Sequence, residues 1–560
     1  MQCQLAFSRF VNSILGLLLG LFVALGGPAI ALAAPGDLDP SFGTGGIVIT
    51  SFGGTDVASA VVIQPDGKLV VAGRTNIAGN TVFALARYNP NGGLDPSFGR
   101  GGLVTTDFGS TDQAFAVALQ GDGKIVTAGR RGSDVIVARY NADGSQDTLF
   151  ASNGRVVTNF GATELALALV IQADGKIVVA GRTNKPAPNG NFDFALARYE
   201  VGGAIDNTFG TLGLVTTDFG GSVDRAFAMA LQPDGKLVVV GDSDANFALA
   251  RYNSDGSLDT GFGSAGKVIT SFGGIDQASA VILQPDGKIL VAGQTDTGVS
   301  IDFALARYMP DGSLDGAFGT GGHVTTNFTG ASDDLAAAVV LQSDGKIVVG
   351  GTSDDNFALA RYTSGGILDS TFGGAGTVTT NLGGEDVLHA LALQPDGAIV
   401  AVGESADRFA LARYQVFGQL SLRLALSPEA ITEFRSGDAF HFDLFITNPR
   451  PQETADLYFA VRLPSAAAGP PFNCPSGDPL VIFGPGFSAI PTCLSGDPHA
   501  FVPLTPNMVI PSGVTATTNF FSGVWPDGTP AGVYTFFVAL ARPGTLEILA
   551  VASTTATLLP

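Results

Sequence analysis

The stretch that decides the fold is ALQPDGKLVVVG (230–241), followed closely by FALARYNSDGSLD (247–259). Its Asp-Gly turns predict hairpins, because Gly accepts a positive φ and Asp bonds nearby backbone. The segments beside the turns are short and apolar, as is typical of buried strands. Similar stretches recur along most of the chain, so we take the fold from the repeat.

An arginine followed by a tyrosine marks each copy, at intervals of 52 to 59 residues. These arginines are Arg87, Arg139, Arg198, Arg251, Arg307, Arg361 and Arg413. An Asp-Gly turn recurs with them, at Asp66, Asp122, Asp174, Asp234, Asp286, Asp344 and Asp396. Four short strands in each of seven such copies predict an all-β, seven-bladed β-propeller. A β-solenoid is the alternative, disfavoured because its coils are normally much shorter.

The order of strands predicts how the ring closes. The last copy ends at Tyr414 without a fourth strand, whereas GIVITSF (46–52) is a spare copy of that strand before the first unit. We expect this N-terminal strand to complete the seventh blade, which would leave no free sheet edge there. Alanines in the first strand of each unit predict an innermost position, where strands crowd around one axis.

The motifs LDPSFGTGG (38–46), ALQPDGKLVVVG and FALARYNSDGSLD resemble those of the delta-60 repeat family of bacterial propeller proteins, over residues 38–414. The resemblance implies a secreted or surface-associated β-propeller and brings no activity or catalytic residue with it. Copies two and three depart from the pattern, with VIVARY (135–140) and QDTLFASNG (146–154). Those two blades are expected to be less regular.

Residues 1–34 predict a secretory signal peptide, with Arg9, an apolar run from Ile14 to Leu25 and the small-residue site Ala31-Leu32-Ala33. A retained anchor is the alternative, although the run is short for a membrane span. We therefore expect an exported protein, extracellular, periplasmic or attached to the cell surface, with no membrane span in the mature chain.

The repeat stops after Gln415, and residues 35–416 are predicted to form the propeller. Alternating apolar stretches in residues 417–560 predict a β-sandwich of immunoglobulin or fibronectin type. Cys474 and Cys493 form an even pair after export, so an oxidising compartment would allow a disulfide between them. Trp525 is interpreted as core or edge packing, with an aromatic ligand platform as the alternative.

Charge and motifs exclude several function classes. The 50 acids and 29 bases give a net charge of −21, which argues against nucleic acid and acidic membrane surfaces as partners. The four histidines have no zinc or haem spacing, and neither a nucleophile elbow nor a phosphate-binding loop is present. No catalytic residue or cofactor motif is therefore identified, and Ca²⁺ is the one ion that the acids suggest.

An acid stands ten residues before each turn aspartate, where the innermost strand should begin. These acids are Asp56, Asp112, Glu164, Asp224, Asp276, Asp334 and Asp386. In a closed ring they would surround one mouth of the channel, where carboxylates can hold Ca²⁺ or attract a cationic ligand. The alternative is structural, with each acid capping a turn or bonding a neighbouring blade.

The loop after each Arg-Tyr pair offers a second acidic set. Asn253, Asp255 and Asp259 fit part of a calcium-loop spacing, but Arg251 stands where the first carboxylate should be. We therefore expect ion pairs, Arg251 with Asp259 and Arg307 with Asp315, and treat calcium as the alternative.

The connections between second and third strands differ most among the copies, and such loops on a rigid scaffold commonly bind partners. Candidate contacts in them are Asn76, Arg131, Lys185, Asp244, Asp296, Asp354 and Asp355. The leading hypothesis is a non-catalytic binding or structural module for a protein or glycan. The alternative is an exported hydrolase or lyase that uses channel-mouth carboxylates such as Asp224 and Asp276, with or without Ca²⁺.

Overall fold

The computed structural model describes residues 34–415, except 185–190, 221–222, 329 and 331, together with the backbone of separate strands between 421 and 558. Pro35–Val416 forms one compact unit. Residues 1–33 of the predicted signal peptide lie outside the described residues. Within the described part of the chain, no helix is long and apolar enough to cross a membrane.

The compact unit contains seven four-stranded antiparallel sheets, the blades of the propeller. Blade 1 consists of β2 (Thr55–Ile63), β3 (Leu69–Ile77), β4 (Asn80–Tyr88) and β5 (Leu103–Thr106). Blade 2 consists of β6 (Asp112–Leu119), β7 (Ile125–Arg131), β8 (Asp134–Tyr140) and β9 (Arg155–Thr158). Blade 3 consists of β10 (Thr163–Ile171), β11 (Ile177–Asn184), β12 (Phe192–Tyr199) and β13 (Leu214–Thr217). Blade 4 consists of β14 (Asp224–Leu231), β15 (Leu237–Ser243), β16 (Asn246–Tyr252) and β17 (Lys267–Thr270).

The remaining blades repeat the same order. Blade 5 consists of β18 (Ile275–Leu283), β19 (Ile289–Asp296), β20 (Ile301–Tyr308) and β21 (His323–Thr326). Blade 6 consists of β22 (Asp334–Leu341), β23 (Ile347–Ser353), β24 (Asn356–Tyr362) and β25 (Thr377–Thr380). Blade 7 consists of β26 (Asp386–Leu393), β27 (Ile399–Ser405), β28 (Arg408–Tyr414) and the N-terminal strand β1 (Ile47–Thr50).

The ring closes through β1. This strand pairs antiparallel with β28, from Ile47 opposite Ala412 to Thr50 opposite Phe409. The predicted closure by the N-terminal strand is therefore present, and the outer edge of blade 7 is completed by residues from the other end of the propeller. Copies two and three, which depart from the repeat motif, also form complete four-stranded blades.

The core lies between neighbouring blades. The second strands are apolar on both faces, and every residue of β15 is buried, as expected for a strand covered on both sides. Each Arg-Tyr tyrosine is fully buried and hydrogen-bonds a threonine at the end of the previous blade's fourth strand; Tyr308 Oη, for example, donates to Thr270 Oγ1 at 2.9 Å. Hydrogen bonds thus supplement apolar packing around the ring.

Every innermost strand carries a β-bulge at the same place. In blade 5 the register shifts between Ala278, opposite Gly293, and Ala280, opposite Ala292. A Cβ on Gly293 would lie 2.0 Å from the carbonyl oxygen of Gln277. The glycine that ends the apolar run within each second strand is therefore required by this close approach of two backbones.

The strands after the propeller pair into two sheets. The strands are β29 (Ser421–Ser427), β30 (Glu433–Phe434), β31 (Ala439–Thr447), β32 (Glu453–Arg462), β33 (Pro479–Phe483), β34 (Ala489–Cys493), β35 (Thr505–Ile510), β36 (Thr515–Ala516), β37 (Asn519–Val524), β38 (Gly532–Ala541) and β39 (Ile548–Leu558). One sheet has the order β29-β31-β36 with β37 beside β31, and the other has the order β30-β39-β38-β32-β33-β34 with β35 beside β32. Their side chains lie outside the described residues, as do Cys474 and Trp525, so the sandwich and the disulfide stay predictions.

Candidate functional site

The seven acids predicted at the channel mouth lie at the start of the innermost strands, and each is at most 1% exposed. In all seven blades a carboxylate oxygen accepts a backbone N–H from the preceding connection, at 2.6–2.8 Å. Asp276 is representative: it accepts the Phe272 N–H at 2.7 Å and the Thr295 hydroxyl at 2.6 Å. These contacts favour the structural interpretation, and a ligand-binding role for the seven acids stays a prediction.

Burial also alters the titration of several of these acids. It raises the pKa of Asp112, Glu164, Asp224 and Asp334, although backbone hydrogen bonds oppose it. The Asp224 carboxylate is held by the Phe219 N–H at 2.7 Å. Since backbone donors hold Asp224 and Asp276 in the same way, the geometry does not favour a catalytic acid and base there.

One group of three acids is unlike the others. Asp193, Asp218 and Asp224 each offer a carboxylate oxygen within 4.8 Å of the other two. Asp193 is the second residue of the third strand of blade 3, and Asp218 follows the fourth strand of that blade. In blade 5 the equivalent positions hold Asp302 and Asn327, whose side chains are hydrogen-bonded at 2.7 Å. Blade 3 therefore places a second carboxylate where blade 5 has an amide.

Arginine–aspartate ion pairs recur on the face of the propeller that carries the Asp-Gly turns. Arg251 Nε lies 2.8 Å from Asp259 Oδ2, and Arg307 Nε lies 2.9 Å from Asp315 Oδ2. The Lys236 ammonium also contacts Asp259, at 2.9 Å. Its hydrogen bond, aided by those from Gly261 and Arg251, outweighs burial and lowers the pKa of Asp259 to about 2. These carboxylates are neutralised by cations of the same blade, which disfavours the calcium alternative.

The opposite face carries the connections between second and third strands, and we call it the variable-loop face. In blade 4 the connection is the two-residue turn Asp244-Ala245, with φ of 43° and 63°. The Ala245 carbonyl accepts the Asp276 N–H of the next blade at 2.8 Å. This left-handed turn is therefore part of the joint between blades.

Other connections on the variable-loop face are longer. In blade 5 residues 297–300 join paired Asp296 and Ile301, and Val299 at the tip is 80% exposed. In blade 3 the connection includes residues 185–190, so Lys185 lies outside the described residues. Of the other predicted contacts, Asn76, Asp354 and Asp355 are exposed, whereas Arg131 donates from Nε to the Phe108 carbonyl at 2.8 Å.

A row of arginines below this face was not identified from the sequence. Arg74, Arg130 and Arg182 occupy the same position of the second strand in blades 1, 2 and 3, directly after the close-packed glycine. The equivalent residues in blades 4 to 7 are Asp242, Gln294, Thr352 and Glu404. The sequence signal is the triplet AGR, which occurs in the first three copies at 72–74, 128–130 and 180–182.

These features define the class: the chain is a β-propeller repeat protein with seven blades. Six segments of it match the model of a family described as a β-propeller domain of unknown function (DUF5122). The matched residues are 64–98, 120–150, 172–209, 232–262, 284–318 and 342–372. The comparison with curated protein sequences gives no match.

Solved structures with a similar fold differ widely in what their names describe. A catalytically inactive virginiamycin B lyase from Staphylococcus aureus, with quinupristin, is 9% identical with a TM-score of 0.42, over 66% of this chain and 99% of that one. The PQQ-bound aldose sugar dehydrogenase from Streptomyces coelicolor is 12% identical with a TM-score of 0.36, over 54% and 93%. Drosophila plexin A with semaphorin 1b is 11% identical with a TM-score of 0.36, over 68% and 88%. Likeness at this level carries no inference about activity.

Proposed function

We propose that the chain is an exported, non-catalytic binding propeller of the delta-60 repeat type, which engages a protein or glycan through its variable-loop face. The observation that carries the proposal is the difference between the two faces. The repeated cations and acids of the Asp-Gly turn face pair with each other in blade after blade. The opposite face departs from the repeat in loop length and in charge, and non-repeated loops on a rigid scaffold are suited to recognition.

The blade 5 loop allows a direct test. Replacing residues 297–300 with the Asp-Ala turn of blade 4 shortens the loop by two residues and leaves the Asp296 to Ile301 pair in register. Val299→Ser is the milder change at the same tip. Ile367→Ser is the control, because Ile367 is 70% exposed on the Asp-Gly turn face, comparable with 80% for Val299.

The measurement is binding of the full mature chain and its variants to panels of immobilised glycans and purified cell-surface proteins. We expect the loop replacement to abolish binding and Val299→Ser to weaken it, with Ile367→Ser unchanged. Equal binding by all four proteins would refute recognition by this face. Turnover of a panel member that is lost on substitution of one buried acid, such as Asp224→Asn, would replace the binding proposal with the hydrolase or lyase alternative.

We propose in addition that Ca²⁺ binds at Asp193, Asp218 and Asp224 rather than at the seven strand-start acids as a ring. Carboxylate oxygens are preferred Ca²⁺ ligands, and three of them converge here. The support is the contrast with blades 2 and 5, where an asparagine amide donates to the aspartate at 2.7 Å. A divalent cation bound by these three converging carboxylates would offset their mutual repulsion.

A further inference from the structure

We propose that Arg74, Arg130 and Arg182, with Arg225 beside them, form a binding site for an oxyanion group below the variable-loop face: a carboxylate, sulfate or phosphate. This inference rests on the proposed binding function and names the chemistry of the ligand. It is carried by the packing of the arginines, by their missing partners and by their charge.

The three arginines of the second strands follow apolar residues that pack between blades. Alternate residues of a strand share a face, so Arg74 lies on the same side of β3 as Val70 and Ala72. These two pack with Ala114 and Ile125 between blades 1 and 2. Arg130 and Arg182 follow the equivalent apolar pairs between blades 2 and 3 and between blades 3 and 4. The three guanidinium groups therefore continue three successive core layers toward the variable-loop face.

The arginines lie close enough to one another for their charges to interact. Burial lowers the pKa of Arg130, and the charge of Arg74 lowers it further. Burial likewise lowers the pKa of Arg182, with contributions from Arg225 and from Arg130. The charge of Arg74 therefore acts on Arg130, and the charges of Arg130 and Arg225 act on Arg182.

The arginine side chains have few partners within the described part of the chain. Among the described residues, the side chains of Arg74 and Arg130 make no hydrogen bond or ion pair, and the Arg182 side chain makes one stacking contact, with the Phe192 ring at 4.9 Å. The Nε atoms of Arg130 and Arg182 are shielded from solvent and have no hydrogen-bond acceptor within the described part of the chain. Buried polar atoms without partners are uncommon in folded proteins and call for an explanation such as an ion.

The positive charge of the arginines exceeds the negative charge beside them. The one carboxylate whose charge acts on Arg182 is Asp242, and Arg225 already binds both of its oxygens, at 3.0 and 2.8 Å. Four arginines and one aspartate leave three positive charges in a chain whose net charge is −21. Guanidinium groups donate planar pairs of N–H groups that fit carboxylate, sulfate and phosphate oxygens. An oxyanion would satisfy the free donors and offset the repulsion.

The test uses the full mature chain in chloride buffer and isothermal titration with inorganic sulfate, inorganic phosphate and glucuronate at matched ionic strength. We expect saturable binding of one anion per chain. Arg130→Gln and Arg182→Gln should each weaken binding at least tenfold, whereas Arg100→Gln, at an exposed arginine in the loop 89–102, should leave it unchanged. The three ligands distinguish an inorganic ion from a carboxylate group on a sugar.

A second measurement separates a ligand site from a structural role. Without anion, Arg130→Gln removes repulsion and no internal partner, so its Tm should equal or exceed that of the unchanged protein. A markedly lower Tm would show that Arg130 already stabilises the fold, and it would overturn the inference, as would the absence of saturable binding by all three anions.

The outcomes also separate this inference from the proposed function. Anion binding that depends on Arg130, together with panel binding unaffected by the blade 5 loop replacement, would sustain the oxyanion site and reject loop recognition. Panel binding that depends on the loop but survives Arg130→Gln and Arg182→Gln, with no anion bound, would sustain loop recognition and reject the oxyanion site.

Discussion

Substitution of Asp369 by asparagine should test the ion pairs that hold the Asp-Gly turn face. Asp369 Oδ2 lies 3.0 Å from Arg361 Nε and 3.2 Å from the Lys346 ammonium. Burial alone would raise the pKa of Asp369, but hydrogen bonds from Thr371, the charge of Arg361 and a hydrogen bond from Lys346 lower it to about 2. The usual value for an aspartate is 3.8.

The magnitude follows from that difference. A pKa nearly two units lower in the folded protein corresponds to roughly 2–3 kcal/mol of stability at neutral pH, since one unit is about 1.4 kcal/mol. Because the folded pKa is depressed, this stability is complete above pH 4 to 5 and is lost as the pH falls toward 2. Asparagine also leaves the Arg361 side chain, 2% exposed, without its carboxylate. Breaking such a buried pair typically costs about 3–5 kcal/mol in total.

Asp259→Asn in blade 4 is the matched control. Its pKa is lowered to about 2 as well, but the Arg251 and Asp259 side chains are 10% and 13% exposed. The released arginine can therefore be hydrated more easily, and we expect a loss nearer 2 kcal/mol. Urea unfolding of both variants at pH 7 and pH 2.5, followed by circular dichroism, measures the two contributions.

The expected pattern has two parts: a larger loss for Asp369→Asn than for Asp259→Asn at pH 7, and smaller losses for both at pH 2.5. A loss for Asp369→Asn that is the same at both pH values would refute the electrostatic explanation. Equal losses for the two variants at pH 7 would refute the argument from the buried arginine.

Three further predictions concern the ring and its acids. Gly293→Ala should cost about 3 kcal/mol in urea unfolding, because its Cβ would lie 2.0 Å from a backbone oxygen; Gly121→Ala, with no atom within 4 Å of its Cβ, should change stability little. Tyr308→Phe should cost about 1 kcal/mol in the same assay, through the lost hydrogen bond to Thr270, and no cost would show that the bond adds nothing to the joint. Ca²⁺ titration should raise the Tm of the unchanged protein saturably, and Asp218→Asn, which gives blade 3 the aspartate and asparagine pair of blade 5, should abolish the rise without lowering the Tm in EDTA.

The propeller could be predicted from sequence because its evidence is repeated. Seven Arg-Tyr pairs and seven Asp-Gly turns set the number of blades, and the spare strand at 46–52 set the closure that β1 provides. Such features depend on which residues recur and at what spacing. They do not depend on which way a side chain points, so they are readable from one chain.

The surroundings of the strand-start acids could not be predicted in the same way. Their position at the beginning of the innermost strand is clear from the turn that follows, but their burial is not. The bulge after Ala278 interrupts the alternation of the two faces, and no feature of the sequence ASAVILQ marks it. Which side Asp276 faces depends on that interruption and on the Thr295 hydroxyl across the strand pair.

The arginine row shows a different difficulty, since the sequence does contain its signal. Arg74, Arg130 and Arg182 each follow Ala-Gly, yet an alignment of copies emphasises what the copies share and treats such residues as variation. In the structure, the cations that recur among the blades have partners within their own blade. Arg307 and Lys288, for example, contact Asp315, so the ion pairs that stabilise each blade explain why these cations recur. Cations confined to three adjacent blades have no such partner, and a site that occurs once in the ring requires that kind of asymmetry.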